Sequence, residues 1–149
     1  MFLQNLEDLL NSKNRLDWNE YFSALSLLIA SRSPSSKLKV GSVIVRDNRV
    51  ISSGYNGFPA GVEHLSIHRD GHEINTIHAE QNAISDSARR GASIERSTIY
   101  ITHFPCINCA KYIISSGIKK VIYLHDYRND DVVKELFQQC NVQMEKIKL

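Results

Sequence analysis

The chain has no long apolar run. The longest, Ala24 to Ala30, is broken by Ser26 and falls far short of the ~20 residues needed to cross a bilayer, so no membrane partner is expected. Cysteine is scarce. There are three in 149 residues, two of them spaced Cys-x-x-Cys, which argues against a disulfide scaffold and for a reducing compartment. A charge excess is missing too: 18 Lys and Arg face 16 Asp and Glu, a formal +2. That is too little for a nucleic-acid-binding face, so any phosphate recognition has to be local. The stretch Met1 to Asp8 lacks a basic start and a small-residue cleavage site; no secretory leader is expected, and the predicted location is the cytoplasm. No repeat, low-complexity tract or Gly/Ser linker appears. Residues 1–149 therefore read as one domain, with 1–16 as an N-terminal arm. A hydrophobic fraction of 42% and a charged fraction of 23% are those of an ordinary soluble domain with a real core.

Periodicity supplies the elements. Leu3, Leu6, Leu9 and Leu10 recur at helical spacing in the arm. Asp17-Trp18-Asn19-Glu20 has the form of a capping box and opens a helix predicted to run to about Arg32. Lys39–Val45 and Arg49–Tyr55 read as a hairpin turned by Asp47-Asn48. Residues 56–77, with three glycines, a proline and three histidines, read as a long loop or a loop with short helical pieces. A stretch of that length inside a compact domain is usually functional or disordered. A helix follows over His78–Arg90, ended by Gly91, then a strand over Ser97–His103. A helix over Cys106–Ser116, closed by Gly117, leads to a strand at Lys120–Leu124 whose apolar content suits burial on both faces. A helix at Asp130–Gln139 and a weaker strand at Val142–Ile147 complete the series. The order predicts a layered α/β domain with a mixed sheet.

Two short segments carry chemistry: His78-Ala79-Glu80 and, 25 residues beyond that glutamate, Pro105-Cys106-Ile107-Asn108-Cys109. Zinc takes nitrogen and sulfur ligands in a tetrahedron, and a catalytic site keeps one position for water. His78, Cys106 and Cys109 are the predicted ligands. Metal-bound water loses a proton near neutral pH, and Glu80 is placed to move protons between that water and a leaving amine. Both segments fall at predicted helix starts, where partial positive charge and free N–H groups favour thiolates. Pro105 suits the position before a helix, where a missing N–H is harmless. The H-x-E…P-C-x-x-C pattern is the signature of zinc nucleobase deaminases. The bland alternative is a structural zinc knuckle completed by Cys140.

From Trp18 to Tyr127 the chain resembles the deoxycytidylate (dCMP) deaminases of the cytidine deaminase superfamily. The matching stretches are Asp17–Phe22, Val40–Val45, Gly54-Tyr55-Asn56-Gly57-Phe58-Pro59-Ala60-Gly61, His78–Ile84, Phe104–Lys111 and Ser116–Val121. The Gly-Tyr-Asn-Gly-x-Pro-x-Gly segment is more specific to the nucleotide branch than the zinc motif. The resemblance implies a three-layer α/β/α fold with a mixed five-stranded sheet flanked by helices. It implies hydrolysis of dCMP to dUMP and ammonia, supplying dUMP for thymidylate synthesis. It also implies a homo-hexamer, with Arg89 at a subunit contact, activated by dCTP and inhibited by dTTP. By the same resemblance Asn56 bonds the sugar, the main chain at Ala79 helps read the base, and Phe104 lines the base pocket. Tyr127 and Arg128 close over the nucleotide.

Phosphate recognition is assigned to Arg32 and Ser33, since a guanidinium fork matches phosphate oxygens. The family's Asp-Pro-Ser stretch after Arg-Ser is here Pro34-Ser35-Ser36-Lys37, which leaves dCTP as effector, substrate or both. Gly57, Phe58 and Gly61 are the expected effector turn, with magnesium accompanying the triphosphate. His64, His68 and His72 recur at i, i+4 and i+8. On a helix they would align three imidazoles. The resemblance admits a second, structural zinc there, since some phage members of the family bind one with histidines matching His64 and His68, together with cysteines that are absent here. The rival enzyme reading is a deaminase of another cytosine or adenine nucleoside, or of a base in RNA. The rival non-enzyme reading is the zinc-stabilised interaction module.

Overall fold

A computed structural model describes residues 1–148. In chain order its elements are α1 (Phe2–Asn11), α2 (Trp18–Ala30), β1 (Gly41–Arg46), β2 (Arg49–Tyr55), β3 (His68–Arg69), β4 (His72–Glu73), α3 (Ala79–Arg89), β5 (Thr98–His103), α4 (Ile107–Ser115), β6 (Lys120–His125), α5 (Asp131–Gln139) and β7 (Gln143–Lys146). The main sheet has the order β2-β1-β5-β6-β7. β1 runs antiparallel to β2 and β5, while β5, β6 and β7 are mutually parallel. This is the mixed five-stranded sheet expected.

Alternation along the central strands builds the two outer layers. Val43, Val45, Tyr100 and Ile122 point to one face, where they meet Phe22 of α2. Ile44, Ile99, Ile101 and Val121 point to the other and pack with Ala83, Ala110, Ile113 and Phe137 from α3, α4 and α5. The helix α1 buries none of its residues and belongs to neither layer. No helix among the described residues is long and apolar enough to cross a membrane.

Local chemistry sets the ends of the elements. The capping box of α2 forms as expected: Asp17 Oδ1 accepts from the Glu20 N–H at 2.8 Å, and Glu20 Oε2 accepts from the Asp17 N–H at 3.0 Å. Asp47 and Asn48 both have positive φ, 52° and 57°, the conformation of a two-residue hairpin turn whose twist matches its strands. β1 begins at Gly41 rather than Lys39, because the Val40 N–H is taken by Asn56 Oδ1 at 2.8 Å. The stretch 56–77 has no helical piece. It holds a small hairpin, β3–β4, turned by Asp70 and Gly71 at φ 50° and 78°.

Two glycines let layers approach. A Cβ on Gly41 would lie 2.1 Å from the Ser26 carbonyl oxygen, and one on Gly54 would lie 2.5 Å from both the Ala79 oxygen and the Ala83 nitrogen. The second contact presses β2 against the helix that carries the His-x-Glu motif.

Candidate active site

His78 and Cys106 stand at the N-caps of α3 and α4, one position ahead of the first turns predicted for them. Both have extended backbones, with φ/ψ of −73°/158° and −71°/165°. The His78 N–H is satisfied by Gln81 Oε1 at 3.0 Å. Cys106 Sγ acts as the cap of α4, accepting from the Cys109 N–H at 3.5 Å. These caps aim three donor atoms at one point. His78 Nδ1 lies 3.5 Å from Cys106 Sγ and 3.4 Å from Cys109 Sγ, and the three atoms fall within 4.8 Å of one another. With Zn–S about 2.3 Å and Zn–N about 2.0 Å, a tetrahedral site requires N···S edges of about 3.5 Å. Backbone and rotamers thus hold these residues at zinc-site spacing, and the donor set fits the metal.

The donors compete for protons. Cys106 is held well below the ordinary thiol range, at about 4. The Cys109 thiol donates to it, and the His78 imidazole and the Cys109 N–H add to the effect against the opposing cost of burial. Cys109 is driven the opposite way because it carries the shared proton and is buried. The opposite shifts belong to the pair as a unit. The hydrogen bond to Cys106 raises His78, again against burial. Glu80 is 4% exposed, and burial pushes its carboxyl upward, opposed by its own backbone N–H and by His78. A buried carboxyl beside a metal-ligating set is the environment of an acid–base group and not of a surface helix-start glutamate.

The motif opens into a cavity of about 450 Å³, within the range that holds a small ligand. Asn56, Ala79, Phe104 and Tyr127 line it together with His78, Glu80 and Cys106. Phe104 is buried edge-on to Tyr123, with ring centroids 5.3 Å apart. The Ala79 carbonyl accepts from Ser42 Oγ at 2.8 Å, which leaves its N–H as the main-chain group for a base. The Asn56 side chain already joins two backbone groups: Oδ1 accepts from Val40 N–H at 2.8 Å, and Nδ2 donates to the Leu38 carbonyl at 2.9 Å. One Nδ2 hydrogen and one Oδ1 lone pair are left over.

The other expected residues divide between the cavity and places outside it. Arg32 and Ser33 do not line the cavity. Ser33 Oγ is spent donating to the Asn56 carbonyl at 2.7 Å and accepting from Ser35 N–H at 3.2 Å. Arg128 also lies outside the lining, with its guanidinium 5.4 Å from the Tyr127 ring centre. In the expected effector turn, Gly57 and Phe58 line the cavity and Gly61 does not. The Gly57 N–H is bonded to the Ile77 carbonyl at 3.1 Å, so it cannot serve as the free phosphate donor expected of that turn. The helical histidine row does not form. His64 stacks on Phe58 at 4.8 Å, while His68 and His72 sit on separate strands, with His68 lining the cavity beside Glu73 at 4.0 Å. Among the described residues the one His/Cys/Asp/Glu group spaced for a metal is His78, Cys106 and Cys109. Cys140 caps α5 and packs on the core; it is not a fourth member.

Sequence reasoning missed Lys37, Glu73 and His103 as cavity residues. His103 ends β5 beside the Phe-Pro-Cys motif. Thr102 Oγ1 accepts from Gly41 N–H at 3.1 Å and lies 2.9 Å from His103 Nδ1. Burial, followed by the neighbouring His125, lowers the His103 pKa and favours a neutral ring. Its position directly before the motif was the available signal.

Comparison with known proteins agrees with this geometry. The family model for the cytidine and deoxycytidylate deaminase zinc-binding region matches residues 16–125. ComE operon protein 2 of Bacillus subtilis (strain 168) is 45% identical over 139 residues, covering 91% of this chain and 74% of that protein. The deoxycytidylate deaminase of Schizosaccharomyces pombe is 36% identical over 150 residues, covering 92% of this chain but only 46% of the yeast protein. The dCMP deaminase of cyanophage S-TIM5, solved in complex with dCMP and dUMP, superposes with a TM-score of 0.81 at 32% identity, covering 91% of this chain and all of that one. The matched region contains His78, Glu80, Cys106 and Cys109, and the chain belongs to the cytidine and deoxycytidylate deaminase family.

Proposed function

We propose that the protein hydrolyses dCMP to dUMP and ammonia with one zinc ion held by His78 Nδ1, Cys106 Sγ and Cys109 Sγ. The observation that carries this reading is the pair of N···S separations, 3.5 and 3.4 Å, beside a buried carboxyl that lines a cavity of about 450 Å³. Zinc held there supplies Lewis acidity toward water at neutral pH. The remaining work falls to the chain. The Glu80 carboxylate takes a proton from the attacking water and delivers it to cytosine N3. A second proton passes through the same carboxyl to the exocyclic nitrogen, which leaves as ammonia while C4 keeps the oxygen. The Ala79 N–H donates to the base, the Phe104 ring bounds it, and the spare Nδ2 hydrogen of Asn56 meets a sugar oxygen.

The dUMP formed suits thymidylate synthesis, and the assembly proposed is a homo-hexamer with Arg89 at a subunit contact. Regulation by dCTP–magnesium and dTTP belongs to the same proposal. Because the Gly57 and Asn56 N–H groups are engaged, the effector contact narrows to Phe58 and Gly61. Purified protein offered dCMP, dCTP, CMP and cytidine, with and without dTTP, tests the reading. dCMP should be turned over fastest and dTTP should depress the rate. No dUMP from dCMP alongside turnover of another substrate would refute it, and a sedimentation profile of monomer alone at micromolar concentration would refute the assembly.

A further inference from the structure

The cavity has an uneven charge distribution that the zinc chemistry does not use. Its two carboxylates occupy separate walls. Glu80 lies at the metal end, and Glu73 lies on the small hairpin, where Oε1 accepts from Asn75 N–H at 2.7 Å and Ile67 N–H at 3.2 Å. Asn75 above all keeps the Glu73 carboxyl below its usual range, and His68 lies on the same wall, 4.0 Å from it. Lys37 is the single lysine or arginine among the lining residues. Its ammonium makes no ion pair with a described residue. A phosphate monoester carries about −1.5 to −2 at pH 7, and the Lys37 ammonium is the permanent cation of the lining that can meet it.

The loop that presents Lys37 is fixed by the chain itself. Ser35 Oγ accepts from the N–H groups of Lys37 and Leu38, each at 3.3 Å. Asn56 ties the following residues through Leu38 and Val40, and Ser33 ties the preceding ones through the Asn56 carbonyl. The lysine loop and the asparagine are therefore stitched into one unit. A nucleotide with its base at Glu80 and its sugar at Asn56 would carry its 5′ substituent toward this loop. We propose that Lys37 is the specificity residue for the 5′-phosphate, its ammonium pairing with the phosphoryl oxygens and the Ser36 hydroxyl adding a neutral donor. This takes the place of Arg32 and Ser33, and it rests on the reading of the cavity as a cytosine-nucleotide site.

The test compares dCMP with deoxycytidine on zinc-loaded wild type, Lys37→Met, Lys37→Arg and, as a neighbour outside the lining, Lys39→Met. A charge-assisted contact predicts a fall of about 10- to 100-fold in kcat/KM for dCMP in Lys37→Met, mostly through KM. Deoxycytidine turnover should be unchanged, and Lys37→Arg should recover most of the loss. The wild-type KM for dCMP should also rise with salt, as expected of an exposed charge pair, and that dependence should vanish in Lys37→Met. An unchanged dCMP rate, or equal losses on both substrates, overturns the proposal. If wild type turns over neither substrate, the deaminase reading fails, and calorimetry with dUMP and deoxyuridine then decides the role of Lys37. A phosphate-dependent affinity lost in Lys37→Met supports it, and equal affinities for the two ligands in wild type overturn it.

Discussion

Adding one methyl group at Gly54 should disable the active site without touching a catalytic residue. The Cβ of Gly54→Ala would sit 2.5 Å from the Ala79 carbonyl oxygen and 2.5 Å from the Ala83 nitrogen. Both are backbone atoms of α3, so no side chain can swing aside to relieve the clash. Restoring ordinary contact needs a displacement of about 1 Å, the scale at which misplaced catalytic groups lose about 100-fold in rate. The displaced turn carries His78 and Glu80, whereas Cys106 and Cys109 ride on α4. The move therefore shifts the imidazole relative to both sulfurs. Overpacking of this kind costs about 1–3 kcal/mol, which lowers the melting temperature of a domain this size by several degrees. Zinc content, kcat and thermal unfolding of Gly54→Ala should be compared with Ser53→Ala, whose side chain is on the exposed side of β2. Wild-type kcat with stoichiometric zinc in Gly54→Ala would refute the claim that this contact sets the position of the motif.

Glu80→Gln should keep its zinc and lose about 10²- to 10⁴-fold in kcat; activity within tenfold of wild type would remove Glu80 from the proton path. The same variant reports on burial. Above the usual carboxylate range and up to its raised folded value, the folded chain holds a Glu80 proton that the unfolded chain has released. Stability therefore falls as pH rises through that window. Thermal unfolding of zinc-stripped protein between pH 5 and 8 should show wild type losing ground to Glu80→Gln, and a pH-independent difference would contradict the shift. Zinc uptake at pH 7 should release about one to two protons, since the shared Cys109 proton and that of the raised His78 must leave before they ligate. Calorimetry in buffers of different ionisation enthalpy measures this, and a buffer-independent heat would refute it.

The grouping of His78, Cys106 and Cys109 beside a buried Glu80 was legible because its signal is local. Two helix starts each carry a short motif, and a cap residue points where its own backbone dictates. The sheet was legible for a similar reason: strands such as Val121–Leu124 are apolar on both faces, and turns such as Asp47-Asn48 declare their conformation. The histidine row failed because spacing at i, i+4 and i+8 has meaning only on a helix. Asp70-Gly71 already offered the competing hairpin signal, although its flanking residues do not alternate. Arg32, Ser33 and Lys37 are separated by only a few residues, and which of them reaches the cavity depends on the turn made by Ser35 and on bonds to Asn56 across 23 residues of chain.

Asn56 shows most clearly what a one-dimensional reading cannot supply. Its place in Gly-Tyr-Asn-Gly raises the expectation of a sugar contact, yet half of its side chain's hydrogen-bonding capacity goes into holding the chain ahead of β1. The same economy recurs around α3. Ser42 Oγ donates to the Ala79 carbonyl at 2.8 Å, Ser52 Oγ to the Ala83 carbonyl at 2.6 Å, and Asn82 Nδ2 to the Tyr55 carbonyl at 2.9 Å. These bonds sew the motif helix to β1 and β2 at successive turns, and Gly54 lets the backbones come close enough for them to form. Precise placement of a reacting group depends on the rigidity of its support. The polar side chains of β1 and β2, which look like weak strand formers in the sequence, are the ones that fix where His78 and Glu80 stand.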